Sequence, residues 1–373
     1  MISWKRFLAM LHKEFLQMRR DPGTIALTLA MPLVQLFLFG FAINADPKFL
    51  PTSLVSGDHS AYERTLTQAL ANSTYFRFHG PIGEEDAAKR LARGDAQFTL
   101  TVPPDFARQI DRGERPSVLL EADATDPSAI GNALAAITAI NPTVLNRDLP
   151  DVLRAAPVKP PFDVVVQRKW NPENLTAYNI VPGLIGTILT FSMVVVTALA
   201  VTRERERGTM ENLLAMPIRP LEVMLGKIVP YIVVGYVQIS LILVIAALVF
   251  GVPMRGSLLL LLLGLGLFIA ANLSVGFAFS TLARNQLQAM QMGVFFILPS
   301  ILLSGFLFPF RGMPDWAQWI GEMLPLTHAL RLVRGILLKG NTLADAAPHL
   351  WPLALFVFVV GAIAIRNYRE TLD

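Results

Sequence analysis

Six uninterrupted apolar stretches, near residues 24–43, 180–202, 228–250, 257–281, 289–308 and 348–365, constrain this chain more than any other feature. Each runs to about 20 residues, and a helix rising about 1.5 Å per residue then crosses the roughly 30 Å of a bilayer's hydrocarbon core. Backbone polar groups in lipid must be satisfied within the segment, so runs of this length specify membrane-spanning helices. Only 16% of the 373 residues are charged, against about a quarter in soluble domains. The fold class expected is an α-helical polytopic membrane protein with six transmembrane helices and an inserted extracytoplasmic α/β domain. Arg19 and Arg20 precede the first stretch as they would in a signal peptide, but no small-residue cleavage site appears around residues 43–45. The stretch therefore reads as an uncleaved anchor.

Orientation follows from lysine and arginine in the short flanks. One side holds Lys5, Arg6, Lys13, Arg19, Arg20, Arg203, Arg205, Arg207, Arg219, Lys227, Arg284, Arg366 and Arg369; the other holds Arg255, Arg311, Arg331, Arg334 and Lys339. The richer side is cytoplasmic, which puts both termini in the cytoplasm and residues 44–176 outside. That segment carries 14 Lys+Arg against 17 Asp+Glu, so the basic excess sits beside the spans. It reads as topology, and no nucleic-acid partner is expected.

Four parts follow in chain order. Residues 1–23 include 4–20, where Trp4, Phe7, Leu8, Leu11, Phe15 and Met18 recur every three or four positions opposite Lys5, Arg6, Lys13 and Glu14. That periodicity favours an amphipathic helix on the cytoplasmic surface over a simple polybasic anchor. The first span, 24–43, comes next. Residues 44–176 then alternate strand-like stretches (50–55, 75–78, 97–102, 118–121, 164–167) with helical ones (62–71, 84–93, from Pro104 to Ile110, and from Asp126-Pro127 to about 140). Gly94 stops the second helix and Pro127 stands in the first turn of the last. Asp58, Asp123 and Asp126 could surround a cation, but acidic residues at strand ends more often cap turns. Residues 177–373 hold the remaining spans. Between the last two, 309–340 is broken by Pro309, Pro314 and Pro325, and Trp316 and Trp319 lie three apart. This pattern predicts a re-entrant or surface hairpin on the outer side. Its Arg331 and Arg334 would serve as interface anchors, or meet headgroups or an anionic cargo.

As an enzyme the chain is nearly blank. The five histidines lack metal-ligand spacing, no serine sits in a Gly-x-Ser-x-Gly turn, and no Gly-x-x-x-x-Gly-Lys-Ser/Thr occurs. It therefore hydrolyses no ATP through a P-loop. Zero cysteines exclude disulfides, thiolate metal sites and cysteine nucleophiles. No ionisable side chain lies mid-span, which argues against ion-driven transport. Gln35, Gln238 and Asn272 do lie at mid-depth, for interhelical hydrogen bonding or for lining a cavity. Phe191, Phe295 and Phe296 face either a greasy cargo route or lipid and packing neighbours. Gly183, Gly186, Gly264 and Gly266 suit close helix contacts.

One stretch stands apart. After the second span come alternating charges (Arg203, Glu204, Arg205, Glu206, Arg207), then Gly208, Thr209 and Glu211, the apolar Leu213 and Leu214, and Pro217. A bare charged cap needs no such ordered continuation. Thr209 can cap a short helix whose leucines enter a partner's groove.

The run Arg-Glu-Arg-Glu-Arg-Gly-Thr-Met-Glu-Asn-Leu-Leu-Ala-Met-Pro-Ile, with Leu221-Glu222-Val223-Met224-Leu225-Gly226-Lys227 after it, strongly resembles ABC-2 type permeases. Further matches are Ser304-Gly305, Phe308-Pro309, Met313-Pro314, Leu324-Pro325-Leu326-Thr327-His328, Arg334-Gly335, Leu338-Lys339-Gly340 and the C-terminal Arg-Asn-Tyr-Arg-Glu-Thr-Leu-Asp. The resemblance implies the membrane subunit of an ATP-driven exporter in a bacterial inner membrane, of the subgroup with a large external insertion and often described as multidrug efflux permeases. It implies docking of 203–217 on a separate ABC ATPase subunit, which binds ATP and Mg while this chain carries no cofactor. It also implies pairing with a second permease and, for some members, a periplasmic adaptor. The competing expectation is a membrane receptor or assembly scaffold whose external domain binds a ligand.

Overall fold

The computed structural model describes residues 46–149, 160–206 and 220–367. The amphipathic helix, the first span, residues 207–219 and the C-terminal tail lie outside the described residues.

The first unit is a five-stranded sheet in the order β2-β1-β3-β4-β5. The strands are β1 (Leu50–Ser56), β2 (Phe76–Pro81), β3 (Phe98–Val102), β4 (Ser117–Asp123) and β5 (Asp163–Lys169). β1 runs parallel to β2 and β3, β3 antiparallel to β4, and β4 parallel to β5. Alternation with period two selects the buried face: Leu50 and Leu54, Phe98, Leu100 and Val102, and Val118, Leu120 and Ala122 enter one core. Three helices join that core, α1 (Ala61–Asn72), α3 (Phe106–Asp111) and α4 (Pro127–Ile140). Ser60 caps α1 by accepting the Glu63 N–H, and the Glu63 carboxylate reaches back to the His59 N–H at 2.9 Å. This reciprocal arrangement satisfies donors that an isolated helix start leaves open.

α2 (Glu84–Arg93) stands apart from that core. Its Ala87 and Leu91 are buried, and it packs on β1, β3 and a turn from the second unit described below. Glu84, Glu85 and Asp86 fill its first turn, Arg90 and Arg93 its last, and Gly94 ends it with φ +81°. Charge order and left-handed glycine both match the helix dipole and the geometry of a helix stop.

Among the described residues the second unit contains five helices long and apolar enough to cross a membrane: α5 (Thr176–Glu206), α6 (Pro220–Leu248), α7 (Leu258–Leu282), α8 (Gln286–Leu303) and α11 (Leu343–Asn367). They agree with the last five of the six apolar runs. α5 and α7 are the most enclosed, whereas α6 presents Val233, Val237, Leu241, Val244 and Leu248 outward. Between α8 and α11 the chain folds back through α9 (Asp315–Met323), α10 (Pro325–Arg334) and a π-turn (Gly335–Lys339) closed by Gly340 at φ +77°.

The hairpin and the turn that leads into it sink apolar side chains into glycine hollows on the spans. Phe306 lies where a side chain on Gly183 would be, Leu326 Cδ1 would stand 2.6 Å from a Cβ on Gly186, and Leu332 Cδ2 2.7 Å from one on Gly264. The π-turn carbonyls of Leu337 and Ile336 accept the Arg255 and Gly256 N–H groups at 3.0 and 2.9 Å. The start of α5, the end of α6, the start of α7 and the hairpin therefore gather at one end of the helices, beside the sheet unit.

Candidate functional site

At the opposite end, α5 continues beyond its apolar part into charged residues without a break. Thr202 is buried and bonds back to the Ala198 carbonyl at 3.1 Å, while Arg203 and Glu206 are exposed. Glu206 turns inward to the first residue of α8. It accepts the Gln286 backbone N–H at 2.7 Å and the Gln286 side-chain amide. These two hydrogen bonds hold the Glu206 carboxyl below the usual carboxylate range. Asn285 caps the same helix by accepting the Gln288 N–H at 2.7 Å. A carboxylate at a helix start is favoured by the helix dipole, so Glu206 fastens α5 to α8. Glu204 and Arg205 belong to the helical backbone of α5. Arg207, Gly208, Thr209, Glu211, Leu213, Leu214 and Pro217 lie outside the described residues.

The candidate path residues fall at separate helix contacts. Phe191 is exposed on α5, and its neighbour Ser192 donates to Gln238 of α6 at 3.0 Å. Asn272 is wholly buried in α7, where its amide donates to the Phe268 carbonyl at 3.0 Å and its Oδ1 has no partner. Phe296 of α8 meets Phe279 edge-on at 6.1 Å, in a cluster with Val194 and Val275. Phe295 is half-buried on α8.

The densest polar chemistry lies at the junction between sheet unit and hairpin. Lys339, the last π-turn residue, pairs with Asp123 at the end of β4 at 2.5 Å, and both side chains are less than a tenth exposed. The same ammonium lies 4.7 Å from the Trp170 ring centre and 3.5 Å from the Leu91 carbonyl of α2. Arg93 pairs with Asp345 at 2.9 Å, and Arg311 donates to the Gly94 carbonyl at 2.6 Å. Two hairpin cations thus meet the carbonyl-rich end of α2, where positive charge is favoured. Arg331 grips both oxygens of Glu322, at 2.6 and 3.0 Å. Despite burial, which alone would raise it, Glu322 is held below its ordinary value by Arg331.

Arg334 reaches Asn179 of α5 and the Gly305 carbonyl (3.4 Å), with Asp126 at 4.0 Å. Burial pushes its guanidinium below the ordinary arginine value. Asp58, the third acidic residue of the cation reading, accepts the Ala107 N–H at 3.2 Å, while Asp123 is taken up by Lys339 and Thr125. Sequence reasoning grouped Asp123 with Asp126 and Arg331 with Arg334, and missed that the two groups converge. Lys339 and Asp123 stand 216 residues apart, and no local pattern relates them.

The family model described as "ABC-2 family transporter protein" matches residues 22–366. The chain is 29% identical over 372 residues to the probable multidrug ABC transporter permease YbhS of Escherichia coli, covering 99% of this chain and 98% of that one. It is 28% identical over 367 residues to the probable multidrug ABC transporter permease YbhR, with 98% of each covered. It is also 28% identical over 375 residues to the inner membrane transport permease YhhJ, with 96% of each covered; both are from the same organism. No solved structure matches. With 345 of its residues inside the family model and helices long enough to span a membrane, the chain belongs to the ABC-2 family of transporter proteins.

Proposed function

We propose that this chain is the permease subunit of an ATP-driven exporter, moving a hydrophobic or amphipathic small molecule from the cytoplasm or inner leaflet. Residues 24–43 supply a sixth span, both termini are cytoplasmic, and the sheet unit stands outside. Residues 203–217 dock on a separate ABC ATPase that binds ATP and Mg, and two permease chains enclose the path. In bacteria this assembly sits in the inner membrane, where the sheet unit is exposed to a periplasmic adaptor.

The observation that carries the reading is the lever made by α5. It is one 31-residue helix, about 46 Å long at 1.5 Å per residue, and it joins the start of the coupling stretch to the junction with the sheet unit. Closure of the ATPase displaces 203–217 and therefore the whole of α5. The Glu206–Gln286 link makes α8 follow. Pro182 in α5 and Pro299 in α8 remove backbone donors mid-helix and so permit bending. Phe191, Gln238, Asn272, Phe295 and Phe296 are the candidate residues of the path.

The test is gentle purification of the full-length chain from its native membrane. A P-loop ATPase co-elutes in stoichiometric amount, and Leu213→Asp with Leu214→Asp removes it. A folded chain that brings no ATPase under these conditions overturns the proposal.

A further inference from the structure

A cavity of about 280 Å³ lies between the sheet unit and the hairpin. Five cations line it, and three have a carboxylate within hydrogen-bonding distance: Arg93 with Asp345, Arg331 with Glu322, and Lys339 with Asp123. The other two differ. Among the described residues Arg311 donates to a neutral acceptor, the Gly94 carbonyl. Among the described residues Arg334 donates to the Asn179 amide oxygen and the Gly305 carbonyl, its side chain is 12% exposed, and its buried Nε has no partner. Asp126 approaches Arg334 no closer than 4.0 Å. A buried guanidinium whose nearest carboxylate stands at the outer limit of an ion pair is only partly compensated, and its planar fork suits phosphate or carboxylate.

We propose that this cavity binds an acidic head group, a phosphate ester, on Arg311 and Arg334. The volume sits at the small end of ligand pockets, about 300 Å³, so it accepts a head group and not a whole lipid. The wall supports the same chemistry. α9 carries Gln318 and Glu322 on the cavity side, while Trp316, Trp319, Ile320 and Met323 are exposed on its other side. Tryptophan on an exposed apolar helix face marks the headgroup level of a bilayer, which puts the cavity about one helix diameter, roughly 10 Å, from lipid phosphates. Asp95 and Asp126 also line the cavity, and their carboxylates oppose an anion there. The site is independent of the export reading, because it requires neither ATPase nor transport.

The experiment measures binding to the purified full-length chain in neutral detergent, using phosphatidylglycerol, glycerol 3-phosphate and diacylglycerol as probes. Phosphatidylglycerol or glycerol 3-phosphate binds at one site per chain, and diacylglycerol, which lacks the phosphate, does not compete. Arg311→Gln weakens binding about tenfold, the worth of one charge-assisted hydrogen bond, while Asp95→Asn strengthens it. Arg311 and Asp95 are exposed, and the opposite signs expected of the two variants separate a binding role from general destabilisation. Tighter binding of phosphatidylglycerol than of glycerol 3-phosphate identifies a membrane lipid as the source; equal binding identifies a free phosphate ester. Unchanged affinity in both variants, or competition by diacylglycerol, overturns the proposal.

Discussion

Two single residues carry the sharpest consequences. Lys339 and Asp123 form a buried ion pair, and removing one partner strands the other charge away from water. Lys339→Met should therefore cost about 3–5 kcal/mol, read as a lower midpoint of thermal unfolding in detergent. Adding Asp123→Leu should recover only part of the loss. It removes the stranded charge but leaves the Thr125 N–H and hydroxyl, both now bonded to Asp123, without their acceptor. Glu206 makes a prediction in pH. Its carboxyl is held below its ordinary value of 4.5 by the Gln286 amides, so the folded state favours the charged form. The link is complete above that ordinary value and is lost as pH falls through the lowered one. Amide exchange at Gln286, corrected for its intrinsic rate, should lose protection across that acidic range. In Glu206→Gln the same measurement should show no such titration.

Among elements, the hairpin and α5 are matched by shape. Gly183 leaves room for the Phe306 ring, and a methyl group there overlaps it. Gly183→Ala should cost about 1–3 kcal/mol through overpacking. Gly131 on α4 has open space where a Cβ would stand, so Gly131→Ala at that helical position serves as a control that does not lower the unfolding midpoint. The continuity of α5 matters for a different reason. Because its charged end is fastened to α8 at Glu206, Glu206→Ala should leave a bound ATPase in place yet weaken the dependence of its turnover on cargo. Loss of the ATPase itself in that variant would show that docking, and not only coupling, depends on the Glu206–Gln286 link.

For the whole molecule, topology is the decisive property, and the absence of cysteine makes it directly measurable. Glu84 on α2 and Arg284 between α7 and α8 are both exposed, at opposite ends of the structure. In intact cells permeable only at the outer surface, Glu84→Cys should react with a membrane-impermeant maleimide and Arg284→Cys should not. The reverse result would invert the orientation drawn from the arginine and lysine bias.

Much of the architecture is legible along the chain because its signals are local. The apolar runs set the spans, and Pro309, Pro314 and Pro325 broke the hairpin where it turns. The helix expected over 84–93 is Glu84–Arg93, with Gly94 as its left-handed stop. These follow from hydropathy, backbone donors and allowed dihedral angles within a few residues of each position. The tertiary structure alone decided what meets what. It put Lys339 on Asp123, Phe306 against Gly183, and Arg311 and Arg334 around one cavity. Charge pairing and surface matching act across space, and no periodicity links Lys339 to Asp123, 216 residues away.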